Sequence, residues 1–379
     1  MNLIVDENIA FAKEAFSEFG NLTLLNGRYI NNDQIKDAEV LIVRSITPVN
    51  AALLKNSKVK FVGTATIGTD HIDLQYLEDN NISFAEAKGC NADSVAEFVF
   101  TALLKIASEK NISLRGKSIG VVGIGHIGNR IVKLGRSLGM EILKNDPPLK
   151  RKNIGQNYSS LNEILKADII SLHVPLSTNG DDKTFHLLKE NNLKEIKDEA
   201  IIINSSRGAV IDNTDLIKEA IKKNFSLIMD VWEGEPSINT NLLEKSKIGT
   251  PHIAGYSLEG KINGTKIIYN ELCKYFKMRP NWKPALPAIE SSELKLPDGK
   301  TNEDRLYKLF SNIYNIEEDD FDLRGILSMK LQEQPVYFDM LRKNYRVRRE
   351  FSNYTINVSD NELHFKTILE SFRFKVKVN

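Results

Sequence analysis

The sequence predicts an α/β protein built on doubly wound parallel sheets, and three observations carry that expectation. Short apolar runs alternate with amphipathic stretches from the first residues onward, the rhythm of strands followed by helices. A second series of runs is almost continuously apolar, as strands buried on both faces are. A glycine-rich turn joins the first strand of that second series to a helix.

In the first series, residues 3–5, 40–43 and 59–62 read as strands. A helix is expected over residues 9–19, where Ile9, Ala12, Phe16 and Phe19 recur at three- and four-residue spacing, and Gly20 ends it. A long helix over residues 94–107 carries Val95, Phe98, Val99, Ala102, Leu103 and Ile106 and bridges to the second series. There, residues 119–122, 141–143, 168–172, 201–203 and 227–229 read as strands. Another long helix follows Gly255 and runs to about residue 276; Pro280, Pro284 and Pro287 then break regular structure and mark a linker. Beyond it lies a third, α+β segment with helices near 302–314 and 363–372.

Composition narrows the function. At roughly 100–200 residues per domain, 379 residues make two or three domains. The chain has 51 Lys+Arg against 50 Asp+Glu, a net charge of +1, so no whole-molecule field gathers nucleic acid or anionic membrane, and neither is expected as a partner. Anion recognition must come from placed cations. Cys90 and Cys273 show no CxxC or Cys/His spacing, which argues against a disulfide framework and structural zinc; no metal is expected, and a reducing cytoplasm is the expected compartment. No apolar run approaches the ~18 residues that span a bilayer.

Gly123-Ile124-Gly125-His126-Ile127-Gly128 is a G-x-G-x-x-G run, weak evidence alone. Here it follows a strand, opens a helix, and is followed about twenty residues on by Asp146 at the end of the next strand. That context is the signature of dinucleotide binding: Gly123 for the tight turn, Gly125 for approach to a pyrophosphate, Gly128 for close packing. Asp146 would accept from an adenosine ribose and repel a 2′-phosphate, which favours NAD over NADP. Lys150 and Arg151 read as a solvated charge pair, with phosphate recognition as the other reading.

Oxidising a 2-hydroxy acid by hydride transfer needs a base for the hydroxyl proton and a cation for the carboxylate. Arg207 in Asn204-Ser205-Ser206-Arg207-Gly208 follows a strand and suits a carboxylate, though alone it is as readily a surface arginine. Glu235 closes Asp230-Val231-Trp232-Glu233-Gly234-Glu235, and His252 lies in Thr250-Pro251-His252-Ile253-Ala254-Gly255. A Glu beside that His would stabilise imidazolium and let it accept the proton. Trp232 is expected to pack beneath the Glu235 loop, and Cys90 to be a structural thiol.

In order and spacing these four motifs resemble the NAD-dependent D-2-hydroxyacid dehydrogenases. The resemblance implies a Rossmann NAD-binding domain over 95–255, inserted in a flavodoxin-like substrate-binding domain over 1–94 and 256–280, with catalysis in the cleft between them. It assigns the carboxylate to Arg207, the orientation of His252 to Glu235, and proton exchange to His252. Cofactor contacts fall on Gly123, Gly125, His126, Ile127, Gly128, Asp146, Val174, Ser205, Asp230 and Gly255; at Val174 a backbone contact is expected, since its side chain cannot hydrogen-bond.

Narrower runs resemble one member of the family that oxidises a phosphorylated hydroxy acid, notably Val43-Arg44-Ser45-Ile46-Thr47, Gly63-Thr64-Ala65-Thr66 and Gly255-Tyr256-Ser257. They imply substrate contacts from Ser45, Thr66 and Tyr256, and a C-terminal α+β dimerisation domain over 288–379, hence a homodimer. Such a substrate has a carboxylate at one end and a phosphate at the other, so a second cationic locus is expected. Arg44 and the cluster of Arg346, Arg348 and Arg349 are the candidates, an exposed basic face being the alternative reading of the cluster. Another D-2-hydroxyacid dehydrogenase, such as a D-3-phosphoglycerate dehydrogenase, or a non-catalytic NAD-sensing regulator on the same fold, are the competing functions.

Overall fold

A computed structural model of the chain describes residues 1–152 and 157–378. The chain divides into two compact units, Met1–Asn91 with Ser257–Ala288, and Ala92–Tyr256 with Ile289–Asn379.

The first unit holds five parallel strands, β1 (Asn2–Asp6), β2 (Asn21–Leu25), β3 (Val40–Val43), β4 (Phe61–Thr64) and β5 (Ser83–Glu86), in the order β2-β1-β3-β4-β5. β3 and β4 are buried at every position, whereas the edge strand β2 has no buried residue, which is why no apolar run announces it. The expected first helix is shorter than its stripe. Phe11 takes a left-handed φ of 57°, so the helix starts at Ala12 and tightens into a 3-10 turn at Ser17–Phe19 before Gly20. The helix Leu258–Tyr275 completes this unit, with Ile268, Tyr269 and Leu272 packed among Leu3, Val5 and Phe16.

The second unit holds β6 (Ser118–Val122), β7 (Glu141–Asn145), β8 (Ile169–Leu172), β9 (Ile201–Asn204), β10 (Ser226–Met229) and β11 (Ile248–Gly249), all parallel, in the order β11-β10-β9-β8-β6-β7. Strand order reverses at β6, so a ligand crevice is expected beyond the carboxyl ends of β6 and β8. The glycine run and the Arg207, Glu235 and His252 motifs all follow carboxyl ends of these strands.

The segment read as a third domain adds three parallel strands, β12 (Glu293–Lys295), β13 (Thr355–Val358) and β14 (Lys375–Val378), and it shares the core of this second unit. The reason is the helix Ala92–Lys110, which is apolar nearly all round. Phe98, Phe100 and Leu103 on it pack in one cluster with Phe310, Phe351 and Phe372 from the C-terminal segment. Polar ties reinforce the seam: Glu303 Oε1 accepts from Ser113 Oγ (3.0 Å) and from Leu114 N–H (2.8 Å). Among the described residues no helix is long and apolar enough to cross a membrane, and both cysteines are buried and outside any disulfide.

Candidate active site

β6 runs directly into the glycine loop. Gly123 has φ +87°, and a Cβ on Gly128 would stand 1.9 Å from the Gly123 carbonyl oxygen, so neither position accepts a side chain. Gly125 is different: nothing lies within 4 Å of where its Cβ would be, and it caps the helix His126–Ser137 with no side-chain hydrogen bond. The first N–H groups of a twelve-residue helix are thus left to a ligand at the positive end of the dipole, and the missing Cβ makes the cradle a pyrophosphate needs. His126 is exposed and Ile127 half-buried.

Asp146 closes β7. Its Oδ2 accepts from Ile124 N–H (2.8 Å) and its Oδ1 from Leu149 N–H (2.9 Å). Each oxygen keeps lone-pair capacity for a ribose hydroxyl, while the carboxylate also ties the glycine loop to the next helix, a second role the motif does not reveal. Arg151 is paired with Asp182 at the surface and Lys150 is exposed, which fits the solvated reading.

At the end of β8, Val174 faces the glycine loop, its Cγ1 2.8 Å from the Cβ position of Gly123. At the end of β9, Ser205 is buried with a hydroxyl that has no partner among the described residues, an orphan that a bound cofactor would satisfy. Asn204 sets the turn that carries Arg207. Its Oδ1 accepts from Ser206 N–H (3.1 Å), and its Nδ2 donates to the Arg207 carbonyl (3.0 Å). Arg207 itself is half-buried.

The end of β10 supplies the carboxylates. Asp230, expected at the cofactor, spends its carboxylate on the protein: Oδ1 accepts from Thr250 Oγ1 (2.7 Å) and from the N–H groups of Ile253 (2.7 Å) and Ala254 (3.1 Å). It braces the turn on which His252 stands. Trp232 lies beneath, its Nε1 donating to the Thr250 carbonyl (2.9 Å) and its backbone N–H to Glu235 Oε1 (2.8 Å).

Held this way, Glu235 Oε2 is 2.7 Å from His252 Nδ1. Burial works to raise the Glu235 pKa, but the charge and hydrogen bond of His252, the Arg342 guanidinium and the Trp232 N–H outweigh it and leave the carboxyl below its ordinary value. The His252 side chain is 31% exposed against 19% for Glu235, so the imidazole is reachable and its partner is sheltered. His252 also adopts a left-handed φ of 58°.

The other sequence candidates divide. Gly255 and Tyr256 lie in the same turn, just past Ala254, and are half-buried. Arg44, Ser45 and Thr66 belong to the first unit. Arg44 Nε pairs with the fully buried Asp6 at 3.0 Å, Ser45 is exposed, and Thr66 shares the Thr64 hydroxyl (3.1 Å) with His71. Arg346 and Arg348, read as phosphate ligands, are consumed by the fold instead. Arg346 pairs with Asp319 at 2.6 Å. Arg348 is buried, lies 3.9 Å over the Tyr314 ring, and donates to the Ser94 and Ala254 carbonyls. Their partners are distant in sequence, so their burial is invisible there.

Sequence reasoning also missed Lys261 and Arg342. Lys261 lies near Arg44 in the first unit, and burial together with the Arg44 charge lowers its pKa to about 8. Arg342 stands beside Tyr256. Position within the run that follows His252 could have flagged Lys261; nothing local flags Arg342.

Fold and site together define a nicotinamide-dependent dehydrogenase of 2-hydroxy acids. Residues 101–254 match the family model for the NAD binding domain of D-isomer specific 2-hydroxyacid dehydrogenases, and residues 285–368 match a domain of unknown function. The erythronate-4-phosphate dehydrogenase of Hydrogenovibrio crunogenus is 38% identical over 99% of this chain and 98% of its own. Those of Shewanella oneidensis and Escherichia coli are 43% and 41% identical over 93% and 95% of both chains. Among solved structures, Aquifex aeolicus D-lactate dehydrogenase with NAD and lactic acid superposes with a TM-score of 0.61 at 27% identity, over 73% of this chain and 96% of its own. The chain belongs to the erythronate-4-phosphate dehydrogenases of the D-isomer specific 2-hydroxyacid dehydrogenase family, and its cofactor is NAD.

Proposed function

We propose that the chain oxidises 4-phospho-D-erythronate to (R)-3-hydroxy-2-oxo-4-phosphooxybutanoate, a step of pyridoxal 5′-phosphate formation, with Arg207, Glu235 and His252 as its catalytic set. The single observation that carries the chemistry is the 2.7 Å contact between His252 Nδ1 and Glu235 Oε2. A carboxylate at Nδ1 fixes the tautomer with its proton there, so Nε2 is the atom that accepts the substrate hydroxyl proton. Glu235 stabilises the imidazolium that forms. Arg207 binds the substrate carboxylate and polarises the 2-oxygen as it becomes a ketone. The glycine loop, Asp146 and Ser205 would hold NAD, which when bound would supply the hydride acceptor for substrate C2.

For the phosphate, Arg44 with Lys261 replaces the arginine cluster as the cationic locus. Dimerisation falls to the C-terminal segment, where Phe321, Leu331, Val336 and Val347 are 76%, 80%, 71% and 68% exposed and so open to a partner. Sedimentation of a Phe321→Glu, Leu331→Glu variant as a monomer would support that role.

The deciding assay is reduction of NAD by the purified chain. 4-Phospho-D-erythronate is expected to be used more efficiently than 3-phosphoglycerate, with His252→Ala lowering kcat by on the order of 10³-fold. Activity confined to 3-phosphoglycerate would give the chain a different substrate, and none with any hydroxy acid would make it a regulator.

A further inference from the structure

The C-terminal segment carries one arginine that its own packing does not call for. Arg342 lies in the last turn of the helix Gln334–Lys343. Its Nη2 donates to the Tyr256 hydroxyl oxygen at 3.0 Å, and its Cζ sits 5.8 Å from the Tyr256 ring centroid and 6.0 Å from that of Phe338. Its Nε is buried with no partner among the described residues. A guanidinium drawn out of water with a donor left unsatisfied is costly, and such costs are retained mainly where the charge is used.

The place where this charge sits is informative. Tyr256 is four residues past His252 in the turn braced by Asp230. Among the described residues, the charged and titratable groups that act on the Glu235–His252 pair or on the cation beside it include Asp230 from the end of β10, Arg342 with Asp339 behind it on the C-terminal helix, and Tyr256. Apart from His252 itself, Arg342 is the cation that acts on Glu235 most strongly.

We propose that Arg342 is a positioning residue of the dehydrogenase site, fixing the Tyr256 hydroxyl by donating to its oxygen and supplying a standing positive charge beside the Glu235–His252 pair. The proposal rests on the assignment of proton exchange to His252. A permanent cation next to the pair acts against imidazolium, in opposition to the Glu235 carboxylate. A phenol that accepts from a guanidinium is in turn a stronger donor to whatever oxygen it meets. The C-terminal segment thereby takes part in the chemistry as well as in assembly.

The test is a titration of the His252 ring by NMR in the full-length, NAD-bound protein carrying ring-labelled histidine, with His252→Ala identifying the resonance. Arg342→Gln is expected to raise the His252 pKa by about half to one unit and to move the acid limb of kcat/KM the same way. Arg342→Lys restores the titration but keeps kcat/KM below wild type, because an ammonium does not reproduce the planar grip on Tyr256. Asp339→Asn, which removes the negative charge behind Arg342, moves the pKa down by a few tenths. An unshifted titration in folded Arg342→Gln overturns the proposal, and if that variant does not fold, an unshifted Asp339→Asn does so. Arg342→Lys matching wild type in both readouts removes the Tyr256 part. Inactivity of the wild type on 4-phospho-D-erythronate would overturn the proposed substrate while leaving the titration to be read on its own.

Discussion

Two glutamates in the second unit are sheltered from water and end in opposite states. Glu235 is held below its ordinary carboxylate pKa. Glu97, on the helix Ala92–Lys110 and 3% exposed, is pushed well above its own. Burial acts the same way on both; the partners differ. Glu235 has an imidazole at 2.7 Å and a backbone N–H on its second oxygen. Glu97 faces a second carboxylate, Glu350, and among the described residues only one of its oxygens is hydrogen-bonded, to Phe351 N–H at 2.9 Å. Arg348 and Arg373 pull the other way without prevailing. Shelter therefore does not say whether a carboxyl will carry charge; the count of donors against like charges does. One arrangement is built for proton exchange and the other for packing.

The largest effect that would sharpen this contrast is at Arg348. Replacing it with Met removes the hydrogen bonds it donates to the Ser94 and Ala254 carbonyls and takes a cation from the Glu97–Glu350 pair, an expected loss of about 3–5 kcal/mol in urea unfolding. Next is Glu235→Gln, expected to lower kcat on the order of 10²-fold with little change in Tm, since the amide still reaches His252 but no longer stabilises imidazolium. Equal loss of kcat from Glu97→Gln would break the distinction between the two sites.

The pH dependence of stability is a smaller effect and differs in sign. A carboxyl whose folded pKa is raised contributes fully below its unfolded value, about 4.5 for Glu97, and loses that contribution as pH rises through the folded value. Glu97→Gln should therefore flatten a decline in unfolding free energy on the alkaline side of 4.5. Glu235, with its folded pKa lowered, contributes above 4.5 and loses it as pH falls, so Glu235→Gln should soften acid unfolding, the smallest change of the four. Urea midpoints followed by circular dichroism across pH would measure both.

Much of the second unit can be read directly from the sequence, because its chemistry follows strands that are apolar on both faces and ends in short turns with distinctive residues. Gly123 to Gly128, Asp146, Glu235 and His252 each advertise themselves within a few positions. The edge strands β2 and β5 do not, since each lacks the apolar run of a central strand. The helix Ile316–Arg324 was missed for a related reason: Glu317, Glu318, Asp319, Asp320 and Asp322 crowd out an apolar stripe, although Asp319 proves buried against Tyr314 and Tyr345. Arginines are the hardest case. Arg342, Arg346 and Arg348 lie within seven positions of sequence, and which one is placed beside Tyr256 depends on contacts made far along the chain, with Tyr256 for Arg342, Asp319 for Arg346 and Ser94 for Arg348.

The left-handed backbone at His252 bears on how this site could drift. Glycine or asparagine would occupy φ 58° at lower cost than histidine does, so a population of variants screened only for folding would lose the imidazole. Selection for turnover has to hold it there against that gradient. An Asn at this position in a relative would mark a protein that has kept the scaffold after the catalytic demand was lifted.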